Sequence, residues 1–273
     1  MKFTKKFIAC LTVLLLALAT TTVAFAQESG VDWSRGVIRA VGLAAGKSST
    51  QNPGLRRAQA RRAAMMDAQR NLAEAARGVR VTSDSLMKDL ELVYDNVRTQ
   101  LDSTISGMSA ISVTDNDDGT CEVVLEMPLF GAGNSLSSAA FLPFKNEPKA
   151  EFPKPVNAVT VEQSYTGLII DCRGLNINCV MSPVIKNADG TKIYGHANLD
   201  IDKVIVNGMA SYSSDAYDQI SKQRAGNNPL VVKAVRLDDM NANPVVSVAD
   251  ADRILAANAK SKFLNNCAVV FLK

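Results

Sequence analysis

VIRAVGLAAG (37–46), followed after a polar turn by GLRRAQARRAAMMDAQRNLAEAARG (54–78), is the stretch that decides the fold. The first segment reads as a strand ending at Gly46. Its small residues point to a helix packed close against it. The second reads as a helix over 54–76, with Pro53 at its mouth and Gly78 at its end as start and stop. Met65, Ala68, Leu72 and Ala76 recur at three and four residues, and the alanines beside them allow a close approach to a sheet. A strand followed by a helix lying flat on it is the seed of an α/β layer.

The pattern continues on both sides. Residues 27–35 read as a loose start and VRV (79–81) as a short strand. A second long helix is expected where Leu86, Leu90, Val93, Val97, Leu101 and Ile105 share one face. Thr82 or Ser83 would cap it, and it would end before Gly107. AISV, DNDDG and TCEVVLEMPL then read as strand, turn and strand, with Cys121, Val123, Leu125 and Met127 alternating on one face. Residues 131–155 gather Gly, Ser and Pro and read as a linker, in which the apolar AAFLPF could pin the segment to a neighbour.

Beyond it, YTGLIID and PLVVKAVRL read as strands, and SPVIKNADGTKIYG as a hairpin. DKVIVNGMASYS carries β character, and DAYDQISKQRAG is a short helix. The end reads strand, helix, strand, with Ser247 capping the helix and Asp250 three residues on. The expected fold class is α+β: two small mixed α/β domains, each with helices on a largely antiparallel sheet. The expected division is leader 1–26, N-terminal domain 27–130, linker 131–155 and C-terminal domain 156–273.

The leader is read from MKFTKK, the apolar run Phe7 to Val23 and the small-x-small triplet Ala24-Phe25-Ala26, which together predict export and cleavage after Ala26. Cys10 comes too early for a lipoprotein signal. Removing Lys2, Lys5 and Lys6 with the leader takes the 30 Lys and Arg to 27, equal to the 27 Asp and Glu. That balance argues against nucleic acid as a partner. No other run is long and apolar enough to span a bilayer. Aromatic residues, 5% of the chain, are too sparse for a carbohydrate-stacking surface.

An oxidising compartment permits disulfides, and Cys121, Cys172, Cys179 and Cys267 remain after the leader. Proximity favours a Cys172–Cys179 bridge, which leaves Cys121 with Cys267. Free buried thiols are the other reading for Cys121 and Cys267. Cys172 and Cys179 do not form a CxxC and lack the second close pair of a zinc site.

Little else speaks of chemistry. His196 has no partners at ligand spacing and reads as a surface or edge residue. Asp171 and Arg173 would share a strand face, as an ion pair at the sheet edge or as a ligand-binding pair. DNDDGT misplaces the glycine of a calcium loop. Glu122 and Glu126 would stand about 13 Å apart at ~3.3 Å per residue, too far for a glycosidase pair. Nucleotide, hydrolase and metalloprotease motifs are absent. The densest charge is RRAQARR, in which Arg57 and Arg61 stack on one helix face with Arg62 beside them. It reads as a solvated face, or as a surface for an anionic head group, glycan or acidic partner.

GVIRAVGLA, RRAQARRAAMMDAQRNLAEAARGV and DGTCEVVLEMPL resemble the bacterial outer-membrane lipoprotein superfamily that includes flagellar assembly proteins of the P and T types. YTGLIIDCRGL, SPVIKNADGTKIYG and VSVADADRILAANAKSKFLNNCAVVFL resemble the C-terminal portions of its longer, signal-bearing members. The resemblance implies a non-enzymatic envelope protein without a cofactor, with envelope proteins or further copies of itself as partners, associated with the outer membrane or its machinery. Gln27 stands where lipoprotein members carry a lipidated cysteine, so a periplasmic form is expected. A second reading is a periplasmic binding module for an anionic glycan, lipid or protein, with Arg57, Arg61, Arg62, Asp171 and Arg173 as its surface.

Overall fold

The computed structural model describes residues 29–273; the leader and its cleavage site lie outside the described residues. The chain is α+β, with two compact regions of helices packed on sheets. The N-terminal sheet has the order β1-β2-β4-β3 and is antiparallel throughout, with β1 at Gly30–Asp32, β2 at Val37–Ala45, β3 at Ser112–Asp115 and β4 at Thr120–Pro128. Helix α1, Pro53–Arg77, lies across β2 and β4 and is capped by Asn52, whose side chain accepts from the Leu55 N–H.

Close approach governs that packing. A Cβ on Gly42 would stand 2.2 Å from the Ala64 carbonyl oxygen and 2.2 Å from the Ala68 nitrogen, and one on Gly46 would stand 2.2 Å from the Arg56 carbonyl oxygen. The helix therefore rests its backbone on the strand. Its buried stripe is Ala60, Ala64, Ala68, Leu72 and Ala76. Met65, expected in that stripe, is only half-buried, because a helix this near the sheet has room for alanine there and not for methionine.

The second long helix is broken in two: α2, Met87–Val93, and α3, Asp95–Ser106, meet at an extended Tyr94. Arg77 supplies a reason. Its Nε donates to Glu91 at 3.0 Å and its Nη2 to Asp102 at 2.9 Å. On one straight helix those acids would be separated by about 16 Å along the axis, at 1.5 Å rise per residue, beyond the span of a single guanidinium. The break leaves Val93 70% exposed, whereas Leu90, Val97, Leu101 and Ile105 enter the core. VRV forms no strand; only an isolated bridge joins Arg80 to Leu86.

Residues 131–155 are docked. They hold a short helix α4, Leu136–Ala140, and a 3-10 turn at Leu142–Phe144, with Leu136, Ala139, Ala140 and Phe141 buried. The Gly131 N–H and the Ser137 hydroxyl both donate to the Ile205 carbonyl of the C-terminal half. At the far end, buried Asp252 accepts from the Val156 N–H at 2.6 Å, the Asn157 N–H at 3.1 Å and the Asn157 amide at 2.8 Å. One hydrophobic core runs through both halves and this strap.

The C-terminal half has two sheets. The first, β8-β12-β5-β9, is parallel throughout: β5 is Gly167–Asp171, β8 Ser211–Ser213, β9 Pro229–Lys233 and β12 Val269–Leu272. This departs from the largely antiparallel pairing expected there. Helices between its strands, α5 (Ile201–Asn207), α6 (Gln219–Ala225) and α7 (Val248–Ser261), provide the crossovers that parallel strands need. GLII and VVFL, buried at every position, carry the continuous apolar pattern of strands covered on both faces. Gly167 repeats the device of Gly42, since a Cβ there would lie 2.5 Å from Ala225 Cα on α6.

The second sheet, β10-β11-β6-β7, is mixed, with β6 at Ile185–Asn187, β7 at Lys192–Tyr194, β10 at Arg236–Asp238 and β11 at Asn243–Val246. DKVIVN, expected to extend a strand, is helical in α5. Asp200 caps it by accepting from the Asp202 N–H, and Gly208 ends it at φ +72°.

The expected disulfide is absent: Cys121, Cys172, Cys179 and Cys267 are all free. Cys172 continues the β5 ladder by donating its N–H to the Leu272 carbonyl at 3.0 Å, and its side chain is fully buried. The loop after it is drawn away toward β10 and β11, because the Asn178 N–H and side-chain amide donate to the carbonyls of Asn241 and Met240, each at 2.8 Å. Cys179 consequently sits near Lys273, 3.9 Å from Nζ, and not against Cys172. Among the described residues no helix is long and apolar enough to cross a membrane.

Candidate functional site

The two edges of the N-terminal sheet differ. On one side β1 pairs with β2 only over Val37–Arg39. The rest of that edge is closed by side chains. The Val41 N–H donates to Ser29 Oγ at 3.0 Å, the Leu43 N–H to Asp67 Oδ2 at 3.1 Å, and the Asn71 amide donates to the Val41 carbonyl at 2.7 Å. Asp67 and Asn71 stand four apart on α1 and so share a flank over this edge. Such capping removes the unpaired amides and carbonyls that invite a foreign strand.

Among the described residues the opposite edge carries no such cover. β3 is the outermost strand there, and all four of its residues are exposed. Ile111, next to it, is 55% exposed and Val113 49%. The neighbouring flank of α1 brings in the arginines. Arg61 donates to both carboxylate oxygens of Asp115, from Nε at 3.0 Å and from Nη2 at 2.5 Å. The Arg61 hydrogen bonds first, then its charge, hold the Asp115 carboxyl below its ordinary range; the charge of Arg57 adds to this. Asp115 in turn raises the Arg61 pKa. The pair ties β3 to α1 on the side-chain face and leaves the backbone edge open. Arg57 and Arg62 are exposed and make no ion pair among the described residues. The arrangement offers backbone donors and acceptors, two apolar side chains and free positive charge, which suits contact with an extended chain.

The other residues singled out in the sequence lie elsewhere and apart. Asp171 closes β5 and accepts from Arg173 three times: from its N–H at 3.0 Å, its Nε at 2.8 Å and its Nη2 at 2.7 Å. Arg173 has left the strand and folds back in a turn. Its hydrogen bonds are the main cause that brings the Asp171 pKa down to about 2. Burial pushes the Cys172 thiol up to about 12 and also raises those of Cys121, Cys179 and Cys267. His196 meets neither Asp171 nor Arg173. Its Nδ1 is 3.1 Å from the Ser182 hydroxyl, and its ring lies 5.2 Å from that of Phe144 in the strap. Burial lowers its pKa. Among the described residues no three His, Cys, Asp or Glu side chains converge as metal ligands would.

The edge asymmetry escaped the sequence reading. Asp67 and Asn71 are visible at helical spacing, but nothing in one dimension says which strand edge they overhang. No curated protein matches the chain. Residues 167–273, from the first residue of β5 through the whole of both C-terminal sheets, match the family described as Treponema pallidum Tp0624, second domain.

Proposed function

We propose that the protein is a non-enzymatic component of the cell envelope that assembles by strand addition at the open edge of its N-terminal sheet. The leader pattern of residues 1–26 supports export to the periplasm. The resemblance to outer-membrane and flagellar assembly proteins supports a role in contact with envelope partners at that membrane. The observation that carries the reading is the asymmetry between edges: α1 closes the β2 side with Asp67 and Asn71, whereas β3 is exposed along its length. β3 also lacks the proline or lysine that commonly blunts such an edge.

The first occupant we assign is a second copy. Antiparallel pairing of β3 with β3 about a two-fold axis joins two four-stranded sheets into one, through the closed symmetry commonest in soluble oligomers. Light scattering on residues 27–273 over a range of concentrations tests this. A dimer that dissociates on dilution is expected, as is its loss in Ile111→Lys and Val113→Lys with the melting temperature retained. A monomer at every concentration, with no oxidative cross-link from Val113→Cys, rules self-assembly at this edge out.

A further inference from the structure

Between the two halves lies a cleft of about 550 Å³. That is within the usual range for small-molecule sites, ~300–1,000 Å³. One wall is the turn between β1 and β2, shaped by Asp32, whose carboxylate accepts from the Ser34 and Arg35 N–H groups at 3.0 Å each. This turn presents Trp33 and Arg35. Phe130 adds an aromatic surface, and the C-terminal half contributes Tyr212, Asn207 and Arg224. Trp33 and Tyr212 meet edge to face, with ring centroids 5.7 Å apart.

The two guanidinium groups of the cleft are not equivalent. Arg35 reaches both oxygens of Glu126, at 3.0 and 3.1 Å, and is the nearer partner of a carboxylate that Arg39 shares at 3.8 Å. Arg224 has no carboxylate partner among the described residues. Its four hydrogen bonds go to neutral acceptors: Ser211 Oγ at 2.9 Å, the carbonyls of Gly208 at 3.4 Å and Cys267 at 3.3 Å, and the carbonyl of Asn207. Two of these carbonyls end α5. A helix terminus answers only about half a unit charge, and α5 is only seven residues long. Burial accordingly lowers the pKa of this arginine. Among the described residues no Asp or Glu lines the cleft. One of the five guanidinium N–H groups remains beyond the four bonds.

We propose that this cleft binds a small organic carboxylate, its charge set against Arg224 and its body against Trp33 and Phe130. A single negative charge matches the guanidinium that no carboxylate of the described residues reaches, and Asn207 and Ser211 offer polar contacts around it. This site does not rest on assembly at β3, and its test reads binding, not mass.

Trp33 is the one tryptophan in the chain, so its emission reports on the cleft alone. Residues 27–273 would be titrated with hexanoate and with D-glucuronate, which share a carboxylate but differ in body. Their neutral counterparts, hexanol and D-glucose, serve as controls, and calorimetry runs in parallel. Saturable binding of at least one carboxylate is expected, at least tenfold tighter than its neutral counterpart. The arm that saturates tells whether the body is apolar or polyol. Arg224 also stitches the end of α5, so Arg224→Gln risks the fold. Gln223→Glu instead places a carboxylate at an exposed position lining the cleft and removes no hydrogen bond. It should weaken binding at least tenfold with the melting curve unchanged. Three results would each overturn the proposal: no saturation by either carboxylate at millimolar concentration, equal binding of the neutral compounds, or no effect of Gln223→Glu. Those are the results expected if Arg224 only closes the end of α5.

Discussion

Replacing Gly42 by alanine puts a methyl group where α1 leaves no space. The new Cβ would stand 2.2 Å from the Ala64 oxygen, 2.2 Å from the Ala68 nitrogen and 2.8 Å from Ala68 Cα. Comfortable heavy-atom contact begins near 3.5 Å, so the helix would have to lift by about 1 Å. Every obstructing atom is backbone in the middle of a 25-residue helix, so no side-chain rotation relieves the clash. A lift of that size forfeits about a quarter to a half of the dispersion energy between the alanine stripe and the sheet. Overpacking of this kind costs ~1–3 kcal/mol, and the rigidity of both sides places Gly42→Ala near the top of that range. The stiffer unfolded chain returns ~0.4–1 kcal/mol, leaving about 2 kcal/mol of destabilisation. At ~2–4 °C per kcal/mol for a chain of this size, the melting temperature should fall by about 4–8 °C. Thermal melts and urea titrations of residues 27–273 followed by circular dichroism measure it. Gly30→Ala is the control, with nothing within 4 Å of its new Cβ, and should stay within about 0.5 kcal/mol of the parent. Ala68→Gly should not rescue Gly42→Ala, because the clash is with backbone. A Gly42→Ala protein as stable as the Gly30→Ala control, or rescue by Ala68→Gly, would refute the argument that helix and strand are in backbone contact.

Alkylation of residues 27–273 should find four reactive thiols after denaturation without reductant; in the native state Cys179, half-buried, should react ahead of the fully buried Cys121, Cys172 and Cys267. A mass two hydrogens lower before reduction would overturn the free-thiol finding. His196 predicts a pH effect of defined sign. Burial, aided by Lys192 and opposed by Glu147, lowers its pKa in the fold. Between the unfolded value near 6.5 and the lower folded one, the unfolded chain takes up a proton that the folded chain does not, so stability falls as pH drops through that window. His196→Gln should flatten this part of a stability-against-pH curve, and an unchanged slope would rule the assignment out. Asp252→Ala strips the acceptor from the Val156 and Asn157 N–H groups, so limited proteolysis within residues 145–157 should accelerate with the helix content unchanged. Equal cleavage rates would mean that the strap is held by its apolar helix alone.

The helix on the strand was legible because its causes are local: alanines at helical spacing and glycines in the strand they approach. The break at Tyr94 was not, since its cause is an arginine at the end of another helix reaching two acids at once. Likewise the apolar runs of β5 and β12 announced buried strands, while their direction depends on crossovers that periodicity does not encode. DKVIVN is β-branched enough to pass for a strand, and only its capping by Asp200 and Gly208 decides for a helix. For Cys172 and Cys179, closeness in sequence was outweighed by the hydrogen bonds of Asn178 to a distant turn. Of the candidate sites, the arginines near β3 could be read from their spacing. The openness of the edge beside them could not, and neither could Arg224, an ordinary residue of a short helix until its surroundings are seen.

In the parallel sheet, β12 lies between β8 and β5, although it comes after both in the chain. A polypeptide emerging vectorially from a ribosome or a narrow pore therefore presents β5, β8 and β9 while the place between them is still vacant. Only β5 and β9 can pair before Val269–Leu272 arrives. This half of the molecule is thus a late folder by construction, held open for most of its emergence.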